Sequence, residues 1–178
     1  MKIILQRCHL RTATWLCLLG SLVLLVGCVP TKSSPVTLVP FDSVAHRAIK
    51  VEPCEDRTGL AGPRNLKEES TKIFTEKLKA MNLFEISPAA PLVLTCDLES
   101  FVEGSALKRW VTPSWGTTEA TVAVVVRDVP NDKMLAILRS QASVDRGGLY
   151  TIGADQYILD AAFDDIMKQL KAWTKNSH

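Results

Sequence analysis

Apolar residues along the chain fall into two periods. Leu66, Ile73, Phe74, Leu78 and Met81 recur at helical spacing after Asn65, and Glu68 three residues beyond that Asn completes the pattern of a capping box. The spacing predicts a helix there, with Glu68 and Lys72 on its wet side. A second helix is predicted over residues 154–173, where Ile158, Ala162, Phe163, Ile166, Leu170 and Trp173 repeat in the same way. Its acids Asp155, Asp160, Asp164 and Asp165 come early and Lys168, Lys171 and Lys175 late, the order that complements a helix dipole. The four acids read as a solvated face.

Between and before these helices the period is that of strands. Residues 44–51 form a first candidate, ended by Pro53 and the turn-forming Asp56-Arg57-Thr58-Gly59. A short strand is expected over 84–87. Over 92–102, Leu92, Leu94, Cys96 and Leu98 alternate with Val93, Thr95, Asp97 and Glu99, so one face belongs to the core and the other is partly wet. Residues 117–127 contain the run Val122 to Val126, which reads as a central strand covered on both faces. The turn Val129-Pro130-Asn131-Asp132 then leads into 134–144 as a hairpin partner. The order predicts an α+β fold: a two-layer sandwich in which a mostly antiparallel sheet of four to five strands carries two packed helices.

The beginning of the chain follows a different rule. Lys2, Arg7 and Arg11 precede an apolar run from Trp15 to Val26, and Leu25-Val26-Gly27-Cys28 follows. The run is about 12 residues, too short for a helix that needs roughly 20 to cross a hydrocarbon core. It reads as a signal peptide over 1–27, and its end resembles the bacterial lipobox. That resemblance implies cleavage before Cys28 and acylation of the Cys28 thiol, with palmitate or similar chains. It further implies the outer membrane, because Val29 follows the cysteine where an Asp would favour inner-membrane retention. Residues 28–42, with Pro30, Pro35, Pro40, Ser33 and Ser34, read as the lipidated Cys and a flexible tether. A single domain is then expected over 43–175, facing the periplasm.

The leader also changes the charge balance. Without Lys2, Arg7 and Arg11, three of 21 basic residues, the mature chain holds 18 against 19 acidic ones. Lys and Glu are mixed along the same segments, so a basic nucleic-acid surface is not expected. Catalytic signals are sparse. Histidine occurs only at His9, His46 and His178, and neither a nucleophile elbow nor a phosphate loop nor a zinc-binding helix motif is present. The expectation is a protein that is not an enzyme, with no catalytic residue, no metal site and no cofactor. Cys54 and Cys96 are the thiols that remain after acylation, and no bridge between them is expected: Cys96 points into the core from a strand, while Cys54 lies in a turn after Pro53.

What stands out is the connection at 104–116, longer than a hairpin requires and carrying Lys108, Arg109, Trp110 and Trp115. Arg and Trp dominate binding hot spots, which makes these four the expected partner contacts. The competing reading has Trp110 covering the end of the sheet with Arg109 stacked over it. Arg146-Gly147-Gly148 with Gly153 forms a second, weaker candidate as an anion-holding loop.

The block Gly104-Ser105-Ala106-Leu107-Lys108-Arg109-Trp110, with Trp115-Gly116, the Val-rich strand, the Asp128 turn, Leu135-Ala136, Gly147-Gly148 and the last helix, resembles a family of small bacterial lipoproteins known only as a domain of unknown function. The resemblance runs from about Val51 to Trp173, and the chain departs from it in having Pro113 and Ser114 where members tend to have Gly. At the level of fold the arrangement is similar to the α+β domains of the TolB N-terminus and of CsgG. The resemblance implies an envelope location and no known reaction. The expected role is a binding or assembly module of the cell envelope, tethered to the membrane through Cys28, with an envelope protein or a glycan as partner. The alternatives are a glycan- or peptidoglycan-binding module and a small cell-wall-active hydrolase.

Overall fold

The computed structural model describes residues 29–42, 47–112, 115–145 and 153–175. Residues 1–27, where a signal peptide is expected, with Cys28, His46 and the Arg146-Gly147-Gly148 segment, lie outside the described residues. In chain order the elements are β1 (Thr31–Ser33), β2 (Val36–Thr37), β3 (Ala48–Val51), β4 (Glu55–Asp56), α1 (Leu66–Met81), β5 (Glu85–Ile86), β6 (Leu92–Val102), α2 (Ala106–Val111), β7 (Thr118–Asp128), β8 (Lys133–Val144) and α3 (Ala154–Lys175). Among the described residues the strands form one mixed sheet in the order β1-β8-β7-β6-β3-β5, with β2 beside β8 and β4 beside β6. The α+β architecture with α1 and α3 packed on a sheet is the one expected.

The three long strands β6, β7 and β8 are antiparallel, and the β7–β8 hairpin closes where predicted: Asn131 Nδ2 donates to Asp128 Oδ2 at 2.7 Å, and Asp132 takes a φ of 47°. The short strands β3, β4 and β5 pair in parallel. This part of the sheet was not anticipated, and it follows from connectivity, because a helix between strands returns the chain to the same end. Helix α1 is capped as its sequence dictates, with Asn65 Oδ1 accepting from Glu68 N at 3.1 Å and Asn82 taking up the left-handed conformation at the other end.

The core lies between helices and sheet. Leu92, Leu94, Cys96 and Leu98 of β6, Val122, Val124 and Val126 of β7, and Ala136 and Leu138 of β8 are buried with Phe74 and Leu78 of α1 and Ile158, Phe163, Ile166 and Leu170 of α3. Phe74 and Phe163 bring the helices together, their ring centroids 5.6 Å apart.

Three expectations are corrected here. The stretch assigned to a flexible tether, 28–42, contributes β1 and β2 to the sheet, in register Thr31↔Ala142 and Val36↔Ile137. It is fixed from the other side as well: Ser33 Oγ donates to Asp165 Oδ2 at 2.7 Å, Trp173 Nε1 donates to the Val39 carbonyl at 3.0 Å, and Phe41 packs edge-on against Trp173 at 4.9 Å. Backbone pairing at an open edge thus overrides a Pro- and Ser-rich composition. Second, Asp165 is buried rather than solvated, and it also accepts from Gln169 Nε2 at 2.8 Å. Asp160 and Asp164 instead pair with Lys77 of α1. Third, Cys54 and Cys96 form a disulfide, with Cα atoms 4.4 Å apart. After Pro53 the chain does not turn away but runs on beside β6, with Glu52 N donating to the Leu94 carbonyl and Glu55 in register with Asp97, so Cys54 is carried against Cys96 in the core.

Candidate functional site

The 104–116 connection is a built loop with a short helix at its tip. Ser105 caps α2 by accepting from Lys108 N at 3.4 Å, and Thr112 N donates to the Lys108 carbonyl at 3.0 Å. The base is pinched shut where Ser105 N donates to the Gly116 carbonyl at 3.0 Å. Gly116 has a φ of +84°, and a Cβ there would sit 2.9 Å from Lys108 Cβ and 3.1 Å from the Ser105 carbonyl oxygen. A glycine is therefore required at this position on two counts.

Of the four side chains singled out in this loop, the structure brings Lys108 and Trp115 together, with the Lys108 ammonium 5.7 Å from the Trp115 ring centroid. The side chains of Arg109 and Trp110 lie outside the described residues, and with them the proposed Arg109–Trp110 stack. Trp115 is 55% exposed and so is no lid on the core. It has company that sequence reasoning passed over: Leu107 is 71% exposed and Val111 64%, one helical turn apart on the same side of α2. Among the described residues these three are the most exposed large hydrophobic side chains. Their signal was legible as Leu107 and Val111 at i,i+4 after the Ser105 cap.

A second surface was not anticipated. The sheet carries α1 and α3 on one face, and among the described residues no helix covers the other. Adjacent strands set side chains there in rows: Lys50, Val93 and Arg127, then Thr95, Val125 and Ile137, then Asp97, Ala123 and Arg139. The run Val122 to Val126 is therefore not sandwiched between two layers, and Val125 is only partly buried. Charged pairs flank the apolar middle: Arg57 Nε lies 3.0 Å from Asp97 Oδ1, and Arg139 Nη2 lies 2.6 Å from Glu99 Oε2. An open depression of about 740 Å³ runs over this face, lined by Lys50, Arg57, Pro91, Val93, Val125 and Met134 among others. It is shallow, and its chemistry is that of a contact surface: an apolar floor and cations and carboxylates already paired at the rim.

Two cations that help hold the fold have displaced ionisation. Burial lowers the Lys77 ammonium, but hydrogen bonds and charge from Asp164 and Asp160 outweigh it and leave the group raised above its ordinary value. Arg64 behaves alike, burial working against Glu69, Glu103 and Asp155, and its guanidinium lies 5.0 Å over the Phe101 ring. Among the described residues no cluster of three or more His, Cys, Asp or Glu side chains gathers as a metal site, and no helix is long and apolar enough to cross a membrane.

No family model matches the chain, and no curated protein matches it in sequence. Solved structures share its fold. The PelC dodecamer protein from Paraburkholderia phytofirmans superposes with a TM-score of 0.53 at 15% identity, over 84% of this chain and 99% of that one. The hypothetical protein CT253 from Chlamydia trachomatis gives 0.52 at 14% identity, over 72% of this chain and 98% of that one. A looser likeness, with a TM-score of 0.39 at 12% identity over 70% of this chain and 98% of the other, joins it to lipoprotein GNA1162 from Neisseria meningitidis. At these identities the likeness to the first two is one of fold.

Proposed function

We propose that this chain is an outer-membrane lipoprotein, anchored through acylated Cys28 and facing the periplasm, that serves as a non-enzymatic binding or assembly module of the cell envelope. The observation that carries the reading is the uncovered sheet face, where Val125 and Ile137 share a row and lie partly exposed between paired charges. Such a surface offers area and shape without a cleft in which a bond is cut. Assembly with further copies of the same chain is the first candidate, since PelC, a protein of the same fold, is a dodecamer. The near balance of 18 basic and 19 acidic residues after the leader fits a neutral contact better than an anionic polymer.

Photocrosslinking in intact envelopes tests this. A photoreactive residue at Val125 or Ile137 is expected to give discrete adducts, either multiples of the chain mass or one defined partner, while the same residue at the exposed Lys171 of α3 gives none. Adducts that are equally strong at all three positions, or absent at Val125 and Ile137, would remove the sheet face as the binding surface.

A further inference from the structure

The register of the sheet places the start of β1 and the end of β6 at the same end of the sheet. Thr31 of β1 faces Ala142 of β8, Ala142 faces Ala120 of β7, and Ala120 faces Phe101 of β6. One step further out, the Pro30 carbonyl accepts from Ser143 N at 3.2 Å, and Ser143, Glu119 and Val102 share a row. Val29 is the next residue, and in sequence Cys28 immediately precedes it. At about 4.8 Å per strand, the three steps from β1 to β6 span about 14 Å. Chain entry and the exit of β6 into α2 are thus on the same end of the sheet, and β7 begins there too.

That end bears Leu107, Val111 and Trp115, the three most exposed large hydrophobic side chains among the described residues. All three lie within nine residues, and Val102, 50% exposed, stands at the foot of the loop. Of the other exposed large apolar side chains, Leu60 and Val129 occur singly, and Val36 with Leu38 and Leu83 with Ile86 form smaller pairs. Leu107 and Val111 present an aliphatic side, Trp115 an indole that is apolar in body and polar at its N–H, and Lys108 an ammonium on a flexible stem. This is the composition that settles at the boundary between headgroups and acyl chains, the indole at headgroup level and the lysine reaching toward water. The clamp between Ser105 and Gly116 holds the tip in shape, so little entropy is lost when it is immersed.

We propose that the α2 tip is a second membrane contact, with Leu107, Val111 and Trp115 seated in the surface of the bilayer that holds the Cys28 acyl chains. This rests on the lipid anchor proposed above. The anchor makes the lipid surface the partner already present at high effective concentration, so side chains too few to bind a membrane alone suffice once tethered. Two contacts set at the same end of the sheet fix the tilt of the domain, which a single acylated cysteine leaves free, and stand the uncovered sheet face upright on the membrane.

The test uses the mature protein extracted from its envelope and reconstituted into phosphatidylethanolamine and phosphatidylglycerol vesicles, a share of whose acyl chains is brominated. A Trp110→Phe background leaves Trp115 and the buried Trp173 as emitters. Brominated chains are expected to quench most of the Trp115 emission and to spare Trp173. Trp115→Phe in the same background, or Leu107→Asp with Val111→Asp, is expected to abolish that quenching while the protein stays on the vesicles. Intact mass separates the two ways of failing. Protein that carries its acyl chains and floats with the vesicles, yet whose Trp115 emission is untouched by brominated lipid, overturns the tip contact and leaves the anchor standing. Protein without acyl mass overturns both. Trp115 emission that responds to envelope proteins and not to pure lipid also overturns the proposal, in favour of a protein partner at the tip.

Discussion

Replacing Cys54 and Cys96 together by alanine opens a loop that the bridge closes across 42 residues. In the chain-entropy account, a closed loop of that size removes about 4 kcal/mol of conformational freedom from the unfolded state. Both cysteines are buried, at 0% and 1% exposure, but each alanine deletes a single sulfur, so the cavity left behind is small beside the loop contribution. In a domain of this length 1 kcal/mol corresponds to about 2–4 °C, and the double variant is expected to melt about 10 °C lower. Urea unfolding of the oxidised protein, the reduced protein and the double variant measures it. The last two should coincide, about 3 to 4 kcal/mol below the first. A difference under about 1 kcal/mol, or two thiols alkylated in the folded mature protein without reductant, would refute the reasoning.

Asp165→Ala strips the acceptor from Ser33 Oγ and Gln169 Nε2 and is expected to cost about 1.5–3 kcal/mol in urea unfolding, with faster hydrogen exchange in Thr31–Ser33. Gly116→Ala forces a side chain into a φ of +84° against Lys108 Cβ and should cost about 1–3 kcal/mol, read by thermal melting. Trp115→Ala, at an exposed position, is expected to change stability by no more than about 0.5 kcal/mol. The raised ammonium of Lys77 contributes stability in full below the ordinary lysine value of 10.5 and loses it as pH rises through the higher folded value. Lys77→Met should therefore flatten the alkaline limb of a stability profile against pH.

Most of the fold was legible because the long elements carry redundant signals. Helix α1 has both its capping box and its apolar stripe, and β6 alternates without a break through Leu98. What escaped was decided by distant partners. Nothing in Thr31 to Thr37 announces a strand; only the free edge of β8 makes it one. Cys54 looked marooned in a turn because the parallel pairing of β4 with β6 depends on the whole α1 crossover. Asp165 resembled its neighbours Asp160 and Asp164, and its burial is set by Ser33, 132 residues away. In the candidate site, the aromatic and basic residues of the loop were visible, while the exposure of Leu107 and Val111 required the folded tip. The uncovered sheet face was hidden because Val122 to Val126 reads alike whether one layer covers it or two.

The proposed anchor at Cys28 is tested most directly by one mass measurement on the protein isolated from its native envelope. The expected species begins at Cys28, carries diacylglyceryl and N-linked acyl mass on that residue, and disappears from the membrane fraction when Cys28 is replaced by serine. A chain that retains residues 1–27, or that begins at Cys28 without acyl mass, or a serine variant that stays with the membrane, would contradict it.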